Sequence, residues 1–165
     1  MSARLPRLVF AVVLISCAAL YMMSVPSMPE VIATLFAGNG LANGYMTRDF
    51  YLPYVLVFGL VLPLLLAFLI SVVPGMLNSR RATRSTDGEL VSDEGKLAVV
   101  TPFGWWYASL TAVFSASMHS LVVMANQLDP PQLANTTFCI LLFGFLAATF
   151  IWAAVVIVRV QRETQ

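Results

Sequence analysis

The chain has 165 residues, of which 59% are hydrophobic and 10% are charged, against about 45–50% apolar and about 25% charged residues in soluble domains. The mean hydropathy of the chain is +0.85. A soluble domain of this size and composition would lack the polar side chains to cover its surface. The composition therefore excludes both a soluble globular enzyme and a disordered chain. The net charge of +1 provides no basic surface of the kind that binds nucleic acid.

Charged residues divide the chain into four apolar stretches that contain no Lys, Arg, Asp or Glu. These stretches cover residues 8–25, 54–77, 105–126 and 133–158. A helix that spans a membrane needs about 17–25 predominantly apolar residues, and backbone that faces lipid must satisfy its own hydrogen bonds, as a helix does. The sequence therefore predicts a single all-α integral membrane domain of four transmembrane helices, with an outer loop at 26–53 and a cytoplasmic loop at 78–104.

The first apolar stretch has a second interpretation. Arg4 and Arg7 followed by an apolar run resemble a secretory signal peptide, and residues 14–17 resemble the cleavage site of a bacterial lipoprotein. However, the apolar run continues beyond Cys17 to Met23, where a lipoprotein usually turns polar. We therefore expect an uncleaved first helix.

The basic residues predict how the helices are oriented. Eight of the nine lie in the N-terminal segment, the central loop and the C-terminal tail, while the outer loop contains only Arg48 and the loop after the third stretch contains none. Basic residues concentrate in cytoplasmic loops. Both termini and the central loop are therefore predicted to be cytoplasmic, in a multi-pass protein of a bacterial inner membrane.

The outer loop is the most patterned region outside the apolar stretches. Residues 38–44 are dense in Gly and Asn, which tolerate positive φ, and aromatic residues are interleaved with them. This pattern predicts a compact, turn-rich loop on the outer membrane surface. A phosphate-binding loop is the alternative interpretation of the glycines, but no strand is expected before them and no Lys-Ser/Thr follows.

The same loop carries a family resemblance. Its sequence runs Met28-Pro29-Glu30-Val31-Ile32-Ala33-Thr34-Leu35-Phe36, then Gly40, Asn43-Gly44-Tyr45 and Thr47-Arg48. This resembles the pattern Leu-Pro-x-x-Ile-Pro-x-His-Phe, then Gly, Asp-Gly-Trp and Ser-Lys, of a domain of unknown function. That domain occurs in small bacterial membrane proteins and at the start of SdpI-type immunity and signalling proteins.

The resemblance covers residues 8–77 and implies a helix, an outer loop and a second helix. It marks as the outer-loop motif Pro29, Phe36, Gly40, Asn43, Gly44, Tyr45 and Arg48. Leu35 stands where the family has His, and Ala33 stands where it has Pro. Any ligand-binding or proton-binding function of that family His is therefore expected to be absent here.

His119 is the only His, Lys, Arg, Asp or Glu within the four apolar stretches, and ionisable residues inside membranes are functional candidates. Helical spacing places Ala112, Ser115 and Asn126 on its face, and such a small and polar stripe predicts contact with other helices. Three interpretations remain open: a neutral His hydrogen-bonded across the bundle, a proton-linked or ligand-contacting His, and a haem or metal ligand. The last would need a second ligand that the chain cannot supply.

Small residues at a spacing of four mark two further helix faces. Gly144 and Ala148 form such a pair on the fourth stretch, and Ala108, Ala112 and Ala116 form a series on the third. Small residues allow two helix backbones to approach closely. These faces are therefore candidate interaction surfaces, within the chain or with a partner.

The sequence contains no combination of residues typical of catalysis. No Ser/His/Asp or Cys/His set lies on one side of the membrane, and both cysteines, Cys17 and Cys139, fall inside apolar stretches. We expect no enzymatic activity, no cofactor and no metal site.

The leading hypothesis is a non-catalytic accessory or stabilising subunit of a larger bacterial membrane complex. Its expected partners are the lipid bilayer and another membrane protein or a second copy of the chain, and no nucleic acid. The first alternative is an SdpI-like protein of immunity or envelope signalling, and the second is a small proton-linked transporter that uses His119.

Overall fold

The structure, a computed structural model, describes residues 4–76 and 90–162 and is 79% helical. Four helices are long and apolar enough to cross a membrane, as the sequence predicted. They are α1 (Arg4–Ser24), α2 (Arg48–Met76), α3 (Leu90–Ala125) and α4 (Asn135–Arg162). Their length and composition fit a multi-pass membrane protein.

The all-α prediction is wrong for the outer loop, which contains a two-stranded antiparallel sheet. Strands β1 (Val31–Phe36) and β2 (Ala42–Thr47) pair in a register that places Val31 opposite Thr47 and Ala33 opposite Tyr45. The β-branched residues of β1 favour an extended chain, and a turn at Gly40, with a φ of 85°, reverses its direction. A strand therefore does precede the glycines, contrary to the expectation from sequence.

The helix boundaries also differ from the predicted ones. Helix α2 begins at Arg48 rather than at residue 54, and α3 begins at Leu90 rather than at residue 105. The length of an apolar stretch reflects the thickness of the hydrocarbon layer. A helix can continue beyond that layer into polar surroundings, so its ends need not coincide with the ends of the apolar stretch. Residues 77–89, which include most of the charged cluster in the predicted cytoplasmic loop, lie outside the described residues.

Helices α1 and α3 pack in parallel, and their contacts recur every seven residues on both helices. Phe10 packs against Trp105 with ring centroids 5.4 Å apart, the Cys17 Sγ lies 3.7 Å from the Ala112 carbonyl oxygen, and Ser24 contacts His119. A repeat of seven is the period of left-handed helix packing. Because the two helices are parallel, they begin at the same end of the bundle.

Helix α3 occupies the centre of the bundle and packs against α1, α2 and α4. Ala108 and Ala112 are completely buried, and both belong to clusters that include residues of α1. Their small side chains let the two backbones approach closely. Ala112, which the sequence marked as a candidate for contact with a partner, therefore packs against α1 within the chain.

The two connections at the other end of the bundle are joined to each other. At the tip of the hairpin, the Gly40 carbonyl accepts a hydrogen bond from the Leu133 N–H at 2.8 Å, and the Asn135 Nδ2 donates to the Gly38 carbonyl at 2.8 Å. A Cβ on Gly40 would lie 2.7 Å from the Leu133 carbonyl oxygen. Glycine is thus required here both by its φ and by the close approach of the α3–α4 connection.

Helix α2 contains two π-helical segments, Val57–Val61 and Phe68–Val72. Pro63 follows the first segment and has no N–H to donate to a carbonyl of the preceding turn, and π-helical turns occur where the regular hydrogen-bond ladder is interrupted. Gly59 lies in this segment and is buried against α1. A Cβ on Gly59 would lie 2.5 Å from ring carbons Cε2 and Cζ of Tyr21.

We predict that Gly59→Ala destabilises the protein by about 1–3 kcal/mol, because the added methyl group overpacks the α1–α2 contact. Gly144→Ala is the matched control: a Cβ there meets no atom within 4 Å, so the usual helix preference for Ala over Gly should leave stability equal or higher. Unfolding of the purified protein in mixed micelles, followed by circular dichroism, measures both. Equal stability of the two variants would contradict the packing described here.

Candidate functional site

A buried hydrogen-bonded cluster joins three helices at the end of the bundle nearest the hairpin. His119 of α3 is 2% exposed. Its Nε2 lies 2.6 Å from the Ser24 Oγ of α1, and its Nδ1 lies 2.9 Å from the Tyr51 Oη of α2. We call Ser24, Tyr51 and His119 the His119 cluster.

The partners of Ser24 assign the direction of each hydrogen bond in the His119 cluster. The Ser24 hydroxyl donates its single hydrogen to the Leu20 carbonyl at 2.6 Å, so it accepts from the His119 Nε2–H. The Nδ1 of a neutral imidazole is then an acceptor, and it receives the Tyr51 hydroxyl hydrogen. This assignment satisfies every polar atom of the cluster with a neutral His119, and corresponds to the first of the three interpretations from sequence.

Aromatic rings enclose His119. The ring of Tyr21 meets it edge-on, with centroids 5.0 Å apart and an interplanar angle of 88°, and the Tyr51 ring stacks on it at 5.8 Å. The Tyr21 hydroxyl is buried without a hydrogen-bond partner among the described residues. The surroundings of His119 are therefore aromatic and uncharged.

A cavity of about 710 Å³ lies beside the His119 cluster, between α2, α3 and α4. Both α2 and α4 pack against α3, and the cavity runs between them under the hairpin. We call it the α2–α4 cavity. Its lining is rich in aromatic residues, which are Tyr45, Tyr51, Tyr54, Phe58, Tyr107, Phe114 and Phe145.

Asn126 at the end of α3 fixes the position of the hairpin above the cavity. Its Oδ1 accepts a hydrogen bond from the Ala33 N–H at 2.8 Å, and its Nδ2 donates to the carbonyls of Ala33 at 3.0 Å and Val122 at 2.8 Å. Ala33 is completely buried, so its backbone groups depend on Asn126. Asn126 therefore holds the hairpin within the chain and is not an exposed residue for contact with a partner.

The other predicted interaction residues occupy different surroundings. Ser115 lines the α2–α4 cavity, with its Oγ 3.4 Å from the Phe58 carbonyl oxygen. Gly144 is exposed on α4, while Ala148 is half-buried. The predicted set thus divides between the bundle core, the cavity and the outer surface of α4.

The outer-loop motif has mainly a structural role in the hairpin. The Arg48 Nη1 donates to the carbonyls of Pro26 and Met28, each at 3.1 Å, and ties the start of α2 to the end of α1. A Cβ on Gly44 would lie 2.8 Å from the Leu35 Cδ1 across the strands. Pro29 and Asn43 are exposed, and Phe36 is half-buried at the end of β1. Of this motif, Tyr45 alone lines the cavity.

Sequence reasoning missed the aromatic residues of α2 and the hydroxyl groups that satisfy His119. Tyr51, Tyr54 and Phe58 fall at the helical spacing of i, i+3 and i+7, which marks one helix face. That signal was present in the sequence, although Tyr51 fell within the predicted outer loop. Ser24 gave no such signal, because a serine near a helix end has many possible partners.

Comparisons with protein families, with curated proteins and with solved structures found no match to this chain. The resemblance of the outer loop to the SdpI-associated domain therefore stays a prediction. Within residues 4–76 and 90–162, no group of three or more His, Cys, Asp or Glu residues could hold a metal ion.

We predict that His119→Leu destabilises the protein by about 1–3 kcal/mol, since it removes two interhelical hydrogen bonds, one of them to the buried Tyr51 hydroxyl. Tyr51→Phe should cost about 0.6–1.7 kcal/mol in the wild type and almost nothing in the His119→Leu background. A double-mutant cycle on unfolding free energies measures this coupling.

Tyr54→Phe is the control, because the Tyr54 hydroxyl makes no hydrogen bond to a described residue. Equal costs of Tyr51→Phe in both backgrounds would show that the two residues act independently.

Proposed function

We propose that this protein is a non-catalytic accessory or stabilising subunit of a larger membrane complex, and that α4 provides its contact with a transmembrane helix of a partner. The observation that carries this proposal is the position of Gly144. It lies within the 28-residue helix α4, on a face where an added Cβ would meet nothing within 4 Å.

Helix α4 is the peripheral helix of the bundle. It packs chiefly against α3 through stacked pairs, Phe145 on Phe114 at 4.2 Å and Trp152 on Tyr107 at 4.4 Å, and it contains no fully buried residue. The face that carries Gly144, about 100° around the helix from these aromatic residues, is apolar, and Ile140 and Ile151 on it are more than half exposed. An apolar face by itself is equally suited to contact with lipid and with a partner helix.

Gly144 distinguishes this face from one that only contacts lipid. Glycine in a helix interior costs about 1 kcal/mol relative to alanine, and no close contact within the described chain requires it. Small residues in transmembrane helices allow a second helix to approach closely. A partner helix that packs across Gly144 would account for the residue, and the flanking Ile side chains would surround the contact.

We predict that Gly144→Leu releases the protein from its complex without affecting its own membrane insertion. The added side chain would separate the two helix backbones, whereas the isolated bundle has open space at this position. Blue-native electrophoresis of mild-detergent extracts from native membranes measures the complex, and mass spectrometry of the excised band shows whether the partner is another protein or a second copy.

The matched control is Cys139→Leu, which enlarges an exposed residue of the same helix at a position about 140° around its axis from Gly144. This variant should stay in the complex. A wild-type band at monomer mass, or equal release by both variants, would refute the α4 interface.

We further propose that the membrane is a bacterial inner membrane and that both termini face the cytoplasm. The basic residues support this orientation, and the close contact between the α1–α2 and α3–α4 connections puts both connections at the same end of the bundle. Arg7 at the opposite end lies 5.6 Å from the centre of the Trp105 ring, which suits a basic and aromatic membrane boundary.

Reporter fusions test this orientation. We predict cytoplasmic signals for a reporter placed after Gln165 or within 80–96, and an external signal for one within 38–44. Alkaline phosphatase and green fluorescent protein, which are active on opposite sides of the membrane, provide reciprocal readouts. An external C-terminus would contradict the proposed orientation.

A second candidate function, SdpI-like immunity or envelope signalling, is favoured by the attachment of the hairpin. Asn126, Gly40 and Arg48 attach the hairpin to the end of α3, to the α3–α4 connection and to the end of α1, so it forms an outer platform on which a ligand could be sensed or neutralised. Proton-linked transport has weaker support, because both ring nitrogens of His119 are occupied by uncharged hydroxyl groups.

A further inference from the structure

The α2–α4 cavity has the dimensions of a small-molecule site. Its volume of about 710 Å³ falls within the range of about 300–1,000 Å³ that is usual for ligand pockets. The lining residues of α3 extend from Tyr107 to Val122, a length of about 22 Å at 1.5 Å per residue.

The cavity is accessible from the side of the bundle that faces the hydrocarbon layer. Three of its lining residues in the apolar part of α2 are partly exposed: Tyr54 at 47%, Phe58 at 50% and Leu62 at 37%. A lipid-soluble molecule could therefore enter from the bilayer without crossing the hairpin.

Hydroxyl groups are concentrated at the hairpin end of the cavity. Thr34 and Tyr45 come from the hairpin, and Tyr54 comes from the first turns of α2. None of these three hydroxyls makes a hydrogen bond to a described residue, so each is available to donate to an acceptor atom. Farther into the bundle the walls are mainly apolar and include Leu62, Leu66 and Phe114.

Two hydroxyls of the deeper wall, those of Thr111 and Ser115, are already engaged. The Thr111 Oγ1 donates to the Tyr107 carbonyl at 3.0 Å, and the Ser115 Oγ lies near the Phe58 carbonyl. The cavity therefore offers three free hydroxyl donors at the hairpin end and mainly apolar walls beyond it, with the single Tyr107 hydroxyl at the far end. This gradient matches a molecule with one polar end and one long apolar end.

The lining also determines the charge of the ligand. Among residues 4–76 and 90–162, no Lys, Arg, Asp or Glu lines the cavity, and His119 uses both ring nitrogens within its own cluster. A phosphate or ammonium head group would find no counter-ion among these lining residues. Aromatic side chains and hydroxyl donors are instead suited to neutral groups with acceptor oxygens.

We propose that the α2–α4 cavity binds an uncharged, lipid-soluble molecule that has carbonyl oxygens at its polar end and a long apolar tail. This chemistry is shared by prenyl quinones and neutral glycerides. The carbonyl oxygens accept hydrogen bonds from Tyr45 and Tyr54 beneath the hairpin, and the tail lies between α2 and α4 along α3. The site is separate from the Gly144 face, so it stands independently of the proposed partner interface.

Equilibrium titration of the purified full-length protein in detergent, by microscale thermophoresis, tests this site. The probes are a short-tailed ubiquinone, dioctanoylglycerol and, as the charged comparison, dioctanoyl phosphatidic acid. We expect binding of at least one of the two uncharged probes, and the probe that binds identifies the source of the shared chemistry. Binding of neither uncharged probe, or equal affinity for the charged one, would overturn the proposal.

Variants that fill the cavity locate the bound probe. Met118→Trp and Leu62→Trp place a large ring in the cavity from opposite walls, and each should weaken binding at least tenfold. Val113→Trp is the matched control, since Val113 is 49% exposed on α3 and does not line the cavity. Gel filtration establishes that each variant is folded. Unchanged affinity in both cavity variants would refute this location.

The polar end is tested by removing single hydroxyl groups. Tyr45→Phe and Tyr54→Phe should each weaken binding about two- to tenfold, as expected for the loss of one neutral hydrogen bond. Tyr107→Phe, at the other end of the cavity, should leave affinity unchanged. A larger loss in Tyr107→Phe than in the other two variants would overturn the proposed orientation of the ligand.

Discussion

A polar side chain between transmembrane helices must find hydrogen-bond partners inside the protein, because the hydrocarbon layer supplies none. His119 satisfies this constraint with both ring nitrogens, through Ser24 of α1 and Tyr51 of α2. Each partner is specific to one axial position of its helix. The histidine therefore fixes how far α1 and α2 are shifted along α3, which van der Waals contact between apolar side chains specifies only weakly.

The same constraint accounts for the close packing along α1. Seven residues before Ser24 and His119, Cys17 contacts Ala112, and seven residues before that pair, Phe10 contacts Trp105. The small size of Ala112 permits the close approach that the short Ser24–His119 hydrogen bond requires. On the α2 side, Gly59 serves this purpose by making space for the Tyr21 ring. Hydrogen bonds of His119 and small residues on neighbouring turns thus together hold α1 and α2 close to α3.

The α2–α4 cavity results from this asymmetric arrangement. Helices α1 and α2 are held to α3 by the His119 cluster, whereas α4 is attached by stacked aromatic pairs on α3 and by the Trp152 Nε1–H, which donates to the Phe103 carbonyl at 2.9 Å. The hairpin closes the top of the resulting gap because Asn126 holds Ala33 in place. One element, α3, therefore carries the polar junction, the attachment of the hairpin and the inner wall of the cavity.

The sequence by itself determined the four membrane helices, since charge-free apolar length reflects the thickness of the bilayer, and it singled out His119, Asn126 and Gly144 by residue type and position. It did not determine the hairpin, because six-residue strands within a loop depend on pairing that local patterns specify weakly. Nor could it identify Ser24 and Tyr51 as partners of His119, or show that Ala112 is used within the chain and that Gly144 faces outward. Those features were decided only by the tertiary structure, because they depend on which helix faces meet, and in a uniformly apolar chain hydrophobicity does not distinguish one face from another.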